Sequence, residues 1–164
     1  MAKPRGFSVL ELLVVVAIIL VLCAISAVHY RRARIAANQA SAMASIHAIN
    51  VAESTYALAY PEMGYSPELI NLGSHGSDCQ TVTSSNACLL DPSLATGIKS
   101  GYIFDVLGDG NTPDAGYTVT ATPEAPGVSG TCSYASSQSA QVSSAASSRN
   151  VLPSDATASG CGGN

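Results

Sequence analysis

Tryptophan is absent from this chain of 164 residues, phenylalanine occurs only twice, and positive charge is scarce. Lysine and arginine total 7 residues against 11 aspartates and glutamates. After Arg34 the only basic residues are Lys99 and Arg149, against ten acidic ones, which gives that region a formal charge of −8. A surface this acidic repels a phosphate backbone, so we expect no nucleic-acid binding by the part of the chain after Arg34.

The short motifs that carry well-known chemistries are also missing. No serine stands in a Gly-x-Ser-x-Gly context, and there is no phosphate-binding glycine loop. His29, His47 and His75 have no metal-ligand spacing to cysteine or carboxylate partners. We therefore predict that the protein is not an enzyme and requires no cofactor.

Glycine and proline are absent from residues 31–60, where alanine is abundant, so this stretch is predicted to be a helix that Pro61 ends. Helical spacing places one set of apolar side chains near a single face, and polar side chains on the others. The apolar set is Ile35, Met43, Ile46, Ile49, Tyr56 and Tyr60, and the polar set is Asn38, Ser41, Ser45, Glu53 and Ser54.

An apolar run precedes this segment and is predicted to continue the same helix from Phe7. Leu12 to Val28 contains no charge and one hydroxyl, Ser26. With the apolar residues before it, the run is long enough to cross a bilayer. A head of about 100 residues cannot cover a helix of ~80 Å. Lipid or other copies of the chain must therefore bury its first half.

Glu11 is a carboxylate inside this apolar run, where an unpaired charge costs on the order of a few kcal/mol. A plain membrane anchor has no need of it, so Glu11 is a functional candidate. Arg31, Arg32 and Arg34 follow the run and are expected to contact lipid headgroups or acidic residues of a neighbouring copy.

The residues around Glu11 resemble a known signal. The string Gly6-Phe7-Ser8-Val9-Leu10-Glu11-Leu12 follows a basic leader with Lys3 and Arg5. It is similar to the class III signal sequences of type IV pilins and pseudopilins. The resemblance implies that a membrane peptidase cuts after Gly6 and that the new N-terminus, Phe7, is N-methylated. It also implies that Glu11 of an incoming subunit neutralises the Phe7 amine of a neighbour.

The family resemblance sets further expectations for partners and location. We expect prepilin peptidase, an inner-membrane assembly platform with its ATPase, and other copies of this chain in a helical filament. The precursor is expected in the bacterial inner membrane with its head in the periplasm, and the assembled filament outside the cell. The alternatives are a pseudopilin of type II secretion and a membrane-anchored binding module that does not polymerise.

Four of the five cysteines follow the apolar run, which predicts two disulfides and an oxidising compartment. Four cysteines allow three connectivities, and we expect Cys79–Cys88 and Cys132–Cys161. Cys23 lies inside the apolar run and is expected to remain a free thiol.

The predicted fold class is α+β and pilin-like, with a long N-terminal helix packed on a small antiparallel sheet. Strands are expected at Tyr102–Leu107, Tyr117–Thr122 and, more weakly, Thr131–Ala135. In the second of these, Tyr117, Val119 and Ala121 alternate with threonines. A helical turn over Pro67–Leu72 is expected to be capped by Ser66. The predicted segments are a leader (1–6), a transmembrane and filament-core helix (7–34), its amphipathic continuation (35–60), a disulfide-clipped loop (61–101), the sheet (102–135) and a Ser/Ala-rich surface tail (136–164).

A weak calcium candidate lies in the loop after the first predicted strand. Asp105, Asp109, Asn111 and Asp114 offer oxygen ligands, although their spacing is not that of an EF-hand. The competing interpretation is a hairpin turn made of turn-forming residues. We therefore predict no metal site, and we keep this loop as the one place to look for calcium.

Overall fold

A computed structural model of the chain describes residues 8–74, 79, 81–146 and 161, with the backbone alone for residues 25–29. The chain forms two compact units, residues 1–34 and residues 35–164. Its elements are α1 (Val9–Ala59), a 3-10 turn (Leu69–Leu72), α2 (Pro92–Ala95), β1 (Ile98–Lys99), β2 (Tyr102–Gly108), β3 (Tyr117–Pro123), β4 (Cys132–Ser137) and β5 (Ser143–Ala146).

The long helix α1 ends at Ala59, immediately before the Tyr60-Pro61 pair. Proline disfavours helical geometry at the residue before it, which explains the position of the end. The backbone N–H of Tyr60 still donates to the carbonyl of Tyr56 at 2.8 Å, and the N–H groups of Met63 and Gly64 donate to the carbonyl of Tyr60. The chain thus reverses direction in a hydrogen-bonded turn.

The five strands form one antiparallel sheet in chain order, β1 to β5. In β2, residues alternate between buried and exposed along the strand, and β3 follows the same period of two. Buried side chains of both strands pack against the second half of α1, and the predicted α+β pilin-like fold is confirmed. All three predicted strands are present.

The structure corrects the prediction for the end of the chain. Residues 136–164 were expected to be a surface tail, but β4 extends through Ser137 and β5 follows at Ser143–Ala146. Residues 147–160 and 162–164 of this predicted tail lie outside the described residues. Strand β5 consists only of serine and alanine, so it shows no apolar alternation. Hydrogen bonding to β4 defines it, and sequence periodicity does not reveal such a strand.

The core lies between α1 and the sheet. Ile46, Ile49 and Tyr56 of the helix are at most 1% exposed. The face prediction was wrong at three positions, because Met43 is exposed whereas Ser45 and Glu53 are buried. Tyr102, Phe104, Val106, Tyr117 and Val119 complete the core.

The segment between helix and sheet is more structured than a plain loop. This segment contains the 3-10 turn, which Ser66 was expected to cap. Instead, the Ser66 hydroxyl donates to the carbonyl of Glu68 at 2.9 Å, and no side chain caps the turn. Helix α2 has a proper cap, since the Asp91 carboxylate accepts from the N–H of Leu94 at 3.0 Å. A disulfide joins Cys79 to Cys88.

Candidate functional site

Of the predicted assembly residues, Glu11 lies in the first turn of α1, two positions after the helix begins. Its side chain is exposed. Near it, the backbone N–H of Leu12 donates to the carbonyl of Ser8 at 3.2 Å. The predicted cleavage and methylation site, Gly6 and Phe7, lies outside the described residues.

The apolar side chains around and after Glu11 are uncovered on every side. Val14, Val15 and Val16 are 48%, 47% and 45% exposed although consecutive residues of a helix point about 100° apart. Val9 and Leu10, nearer the N-terminus, are more exposed still. A contiguous exposed apolar surface of this kind marks a site of interaction with protein or membrane.

Polar groups mark the far end of this apolar segment. Arg31, Arg32 and Arg34 are exposed, and none of them has an ion pair within the described residues. Cys23 is a free, exposed thiol on the helix.

Within the described part of the chain, no helix meets the combined requirements of length and apolarity for a membrane span.

Comparison with known protein families decides what this N-terminal segment is. Residues 1–27 match the family described as the prokaryotic N-terminal methylation motif. The chain carries the class III signal of type IV pilin and pseudopilin precursors. The matched residues include Gly6, Phe7 and Glu11 and extend into the exposed apolar part of α1. No curated protein and no solved structure matches the chain.

The two disulfides of the pilin-like head hold segments that have little apolar surface of their own. Cys79–Cys88 closes the loop before α2, with 5.9 Å between the Cα atoms. Cys132, which begins β4, is joined to Cys161, and Cys161 is partly buried against the core. This second bridge attaches a residue near the end of the chain to the middle of the sheet.

The calcium candidate loop is a hydrogen-bonded turn between β2 and β3. The Asp109 carboxylate accepts from the backbone N–H groups of Asn111 at 3.0 Å and Ala115 at 3.2 Å. Asp105 projects from the exposed side of β2, and Asp114 is buried. Among the described residues no group of three or more histidine, cysteine or carboxylate side chains is placed to hold a metal.

Sequence reasoning missed a second acidic site, at Glu53. This side chain is fully buried, and its Oε2 accepts a hydrogen bond from the backbone N–H of Ser66 at 2.8 Å. Burial is the main cause that raises the pKa of Glu53 from 4.5 to about 7; the nearby charge of Asp114 acts in the same direction, and the Ser66 hydrogen bond acts against both. The spacing Ile46, Ile49, Glu53, Tyr56 contained the signal, because it places Glu53 on the apolar face.

Proposed function

We propose that the mature chain is a pilin, a structural subunit that polymerises into a type IV pilus through its N-terminal helix. The observation that carries this proposal is the uncovered apolar segment beginning at Val9, immediately after a processing signal. In the membrane, lipid covers this segment. In a filament, the same segments of neighbouring copies cover one another.

Glu11 has a specific role in this account. Cleavage after Gly6 creates an α-amine at Phe7, and an amine and a carboxylate in an apolar surrounding each cost less when they are paired. The Phe7 amine of one subunit and the Glu11 carboxylate of its neighbour would then fix the relative position of two helices. A single polar group has the same effect in other apolar helix interfaces, where it sets the register.

The rest of the chain supplies what a pilus surface needs. The head is closed by two disulfides, which suits a protein that leaves the reducing cytosol. Prepilin peptidase acts on the leader, and an assembly platform with its ATPase supplies the energy of polymerisation. Accordingly, the precursor waits in the inner membrane with its head in the periplasm.

The test is a comparison of three strains that produce wild-type protein, Glu11→Ala or Glu62→Gln. Glu62 is an exposed carboxylate of the head and serves as the matched control. We expect all three chains to be cleaved, and the yield of surface filaments to fall roughly ten-fold or more only in Glu11→Ala. Normal filament yield from Glu11→Ala cells would remove the role proposed for this carboxylate.

A further inference from the structure

Three carboxyl groups of the head differ in their exposure, from fully buried to exposed. Glu53 of α1 is 0% exposed and Asp114, in the loop between β2 and β3, is 6% exposed. Asp109, in the same loop, is exposed and lies beside Asp114. Carboxylates are rarely buried without a cation or a set of hydrogen-bond donors, so this arrangement needs an explanation.

The two buried carboxyl groups connect three segments of the chain. Glu53 accepts a hydrogen bond from the N–H of Ser66, which connects α1 to residues 60–66, the post-helix turn. In the same turn, the carbonyl of Met63 accepts from the N–H of Asp114 at 2.8 Å, and the N–H of Tyr65 donates to the carbonyl of Asp114 at 3.1 Å. The β2–β3 loop, the post-helix turn and α1 therefore meet at Glu53 and Asp114.

In each of these two carboxyl groups, one oxygen has no hydrogen-bond partner. Oε1 of Glu53 and Oδ1 of Asp114 are both buried and accept no hydrogen bond. A buried acceptor without a donor costs about 1–3 kcal/mol, and more when it is charged. A proton on the unpaired oxygen of either carboxyl group removes the buried charge and so lowers the cost of leaving that oxygen without a donor.

Among the described residues, the groups that interact electrostatically with Glu53 and Asp114 are acidic or phenolic. Tyr56 on α1, Asp114 in the β2–β3 loop and Tyr117 on β3 each interact electrostatically with Glu53, and none is cationic. Around Asp114 the other charged group is Asp109. The basic side chain of Lys99 is 2.9 Å from Asp91, where it is already paired.

The titration of the three groups agrees with this geometry. Burial raises the pKa of Asp114, and the neighbouring Asp109 raises it further. The backbone N–H of Asn111 and the side chain of Asp114 hold the pKa of Asp109 down, at about 2. Asp109 therefore loses its proton first, and Glu53, whose pKa is about 7, retains its proton nearest to neutral pH.

We propose that Glu53 and Asp114 form a proton-dependent latch that holds the β2–β3 loop and the post-helix turn against α1. With Glu53 protonated, the latch is closed. When Glu53 loses its proton, a buried negative charge faces Asp114 and the three segments separate more readily. The pilin-like head thus senses pH through a side chain that plays no part in the assembly proposed above.

The sign of the effect follows from the folded and unfolded pKa values of Glu53. The folded value, about 7, is above the ordinary value of 4.5, so the folded state binds more protons between these limits. Its contribution to the free energy of unfolding is therefore largest at or below about pH 4.5, falls as pH rises to about 7, and is lost above it.

The experiment measures the thermal unfolding midpoint of the mature, full-length chain in detergent, from pH 5 to 8.5. We expect the midpoint of the wild type and of the Glu62→Gln control to fall by roughly 5 °C or more across this range. In Glu53→Gln the fall should be less than half as large. The amide oxygen can still accept from Ser66, and the amide carries no charge at any pH of this range.

Infrared spectroscopy gives a second measurement, and a purely structural role of Glu53 does not predict its result. At pH 5.5, the carbonyl stretch of a protonated carboxyl group should be present in the wild type and in Glu62→Gln and weaker in Glu53→Gln. An identical pH profile for the wild type and Glu53→Gln would overturn the proposal. So would a rise in the wild-type midpoint on adding Ca²⁺ at pH 8.5 that Glu53→Gln does not show, because a cation would then occupy the site.

Discussion

The hydroxyl of Tyr117 on β3 donates a buried hydrogen bond to Oδ1 of Asn50 on α1, at 3.1 Å. The amide Nδ2 of Asn50 donates in turn to the hydroxyl of Ser136 on β4, at 2.9 Å. Asn50 therefore joins the helix to two neighbouring strands of the sheet. All three groups are buried, so each bond is costly to break.

Tyr117→Phe should lower the free energy of unfolding by about 1–2 kcal/mol, because it leaves Oδ1 of Asn50 buried without a donor. The measurement is denaturant unfolding of the mature chain in detergent. Tyr30→Phe is the control, since Tyr30 is 69% exposed. If both variants have the same stability as the wild type, the hydrogen bond between Tyr117 and Asn50 contributes nothing to the free energy of unfolding.

Gly130 lies where a side chain would collide with the ring of Tyr102. A Cβ atom at this position would be 2.6 Å from Cζ of Tyr102, whose hydroxyl donates to the carbonyl of Cys132 at 2.8 Å. Gly130→Ala is therefore expected to cost about 2–3 kcal/mol in unfolding free energy, since the buried ring must move.

Gly127 is the matched control for this substitution. Its φ of +81° disfavours any side chain, but nothing lies within 4 Å of the position that a Cβ would occupy. Gly127→Ala should cost only about 1 kcal/mol. Equal losses from Gly127→Ala and Gly130→Ala in the same unfolding experiment would show that Tyr102 does not confine the chain at Gly130.

The two disulfides should contribute unequally to stability. They join residues 9 and 29 positions apart. On the chain-entropy model, replacing Cys79 and Cys88 by serine costs ~2.7 kcal/mol, whereas replacing Cys132 and Cys161 costs ~3.6 kcal/mol. Denaturant midpoints of the two double variants test this order. A larger loss on replacing Cys79 and Cys88 than on replacing Cys132 and Cys161 would mean that native contacts, rather than loop length, determine what the smaller loop contributes.

Much of this head could be predicted from its sequence. Tyr117, Val119 and Ala121 alternate with threonines, so β3 is recognisable from a period of two, and Pro61 identifies the end of α1. Strand β5 was not predictable, because serine and alanine carry no periodic signal. The two-residue strand β1 is likewise defined by its pairing with β2 rather than by its composition.

The two candidate sites also differ in how far the sequence alone reveals them. Gly6, Phe7 and Glu11 form a local motif of fixed spacing, and such motifs are visible without a structure. The Glu53 site brings together residues from α1, the post-helix turn and the β2–β3 loop, with Asp114 61 positions from Glu53 in the sequence. Only the folded chain shows that these two carboxyl groups are close enough to interact electrostatically. A charged residue on an apolar helix face was the one signal available.

The most direct test of the pilin proposal is the intact mass and N-terminal sequence of protein sheared from the cell surface. We predict a chain that begins at N-methylated Phe7 and is four hydrogens lighter than its reduced form. A Gly6→Ala strain should retain residues 1–6 and shed no filaments. Finding wild-type protein that keeps residues 1–6 where the peptidase is present, or processed protein confined to the cell envelope, would contradict the assignment to a surface pilus.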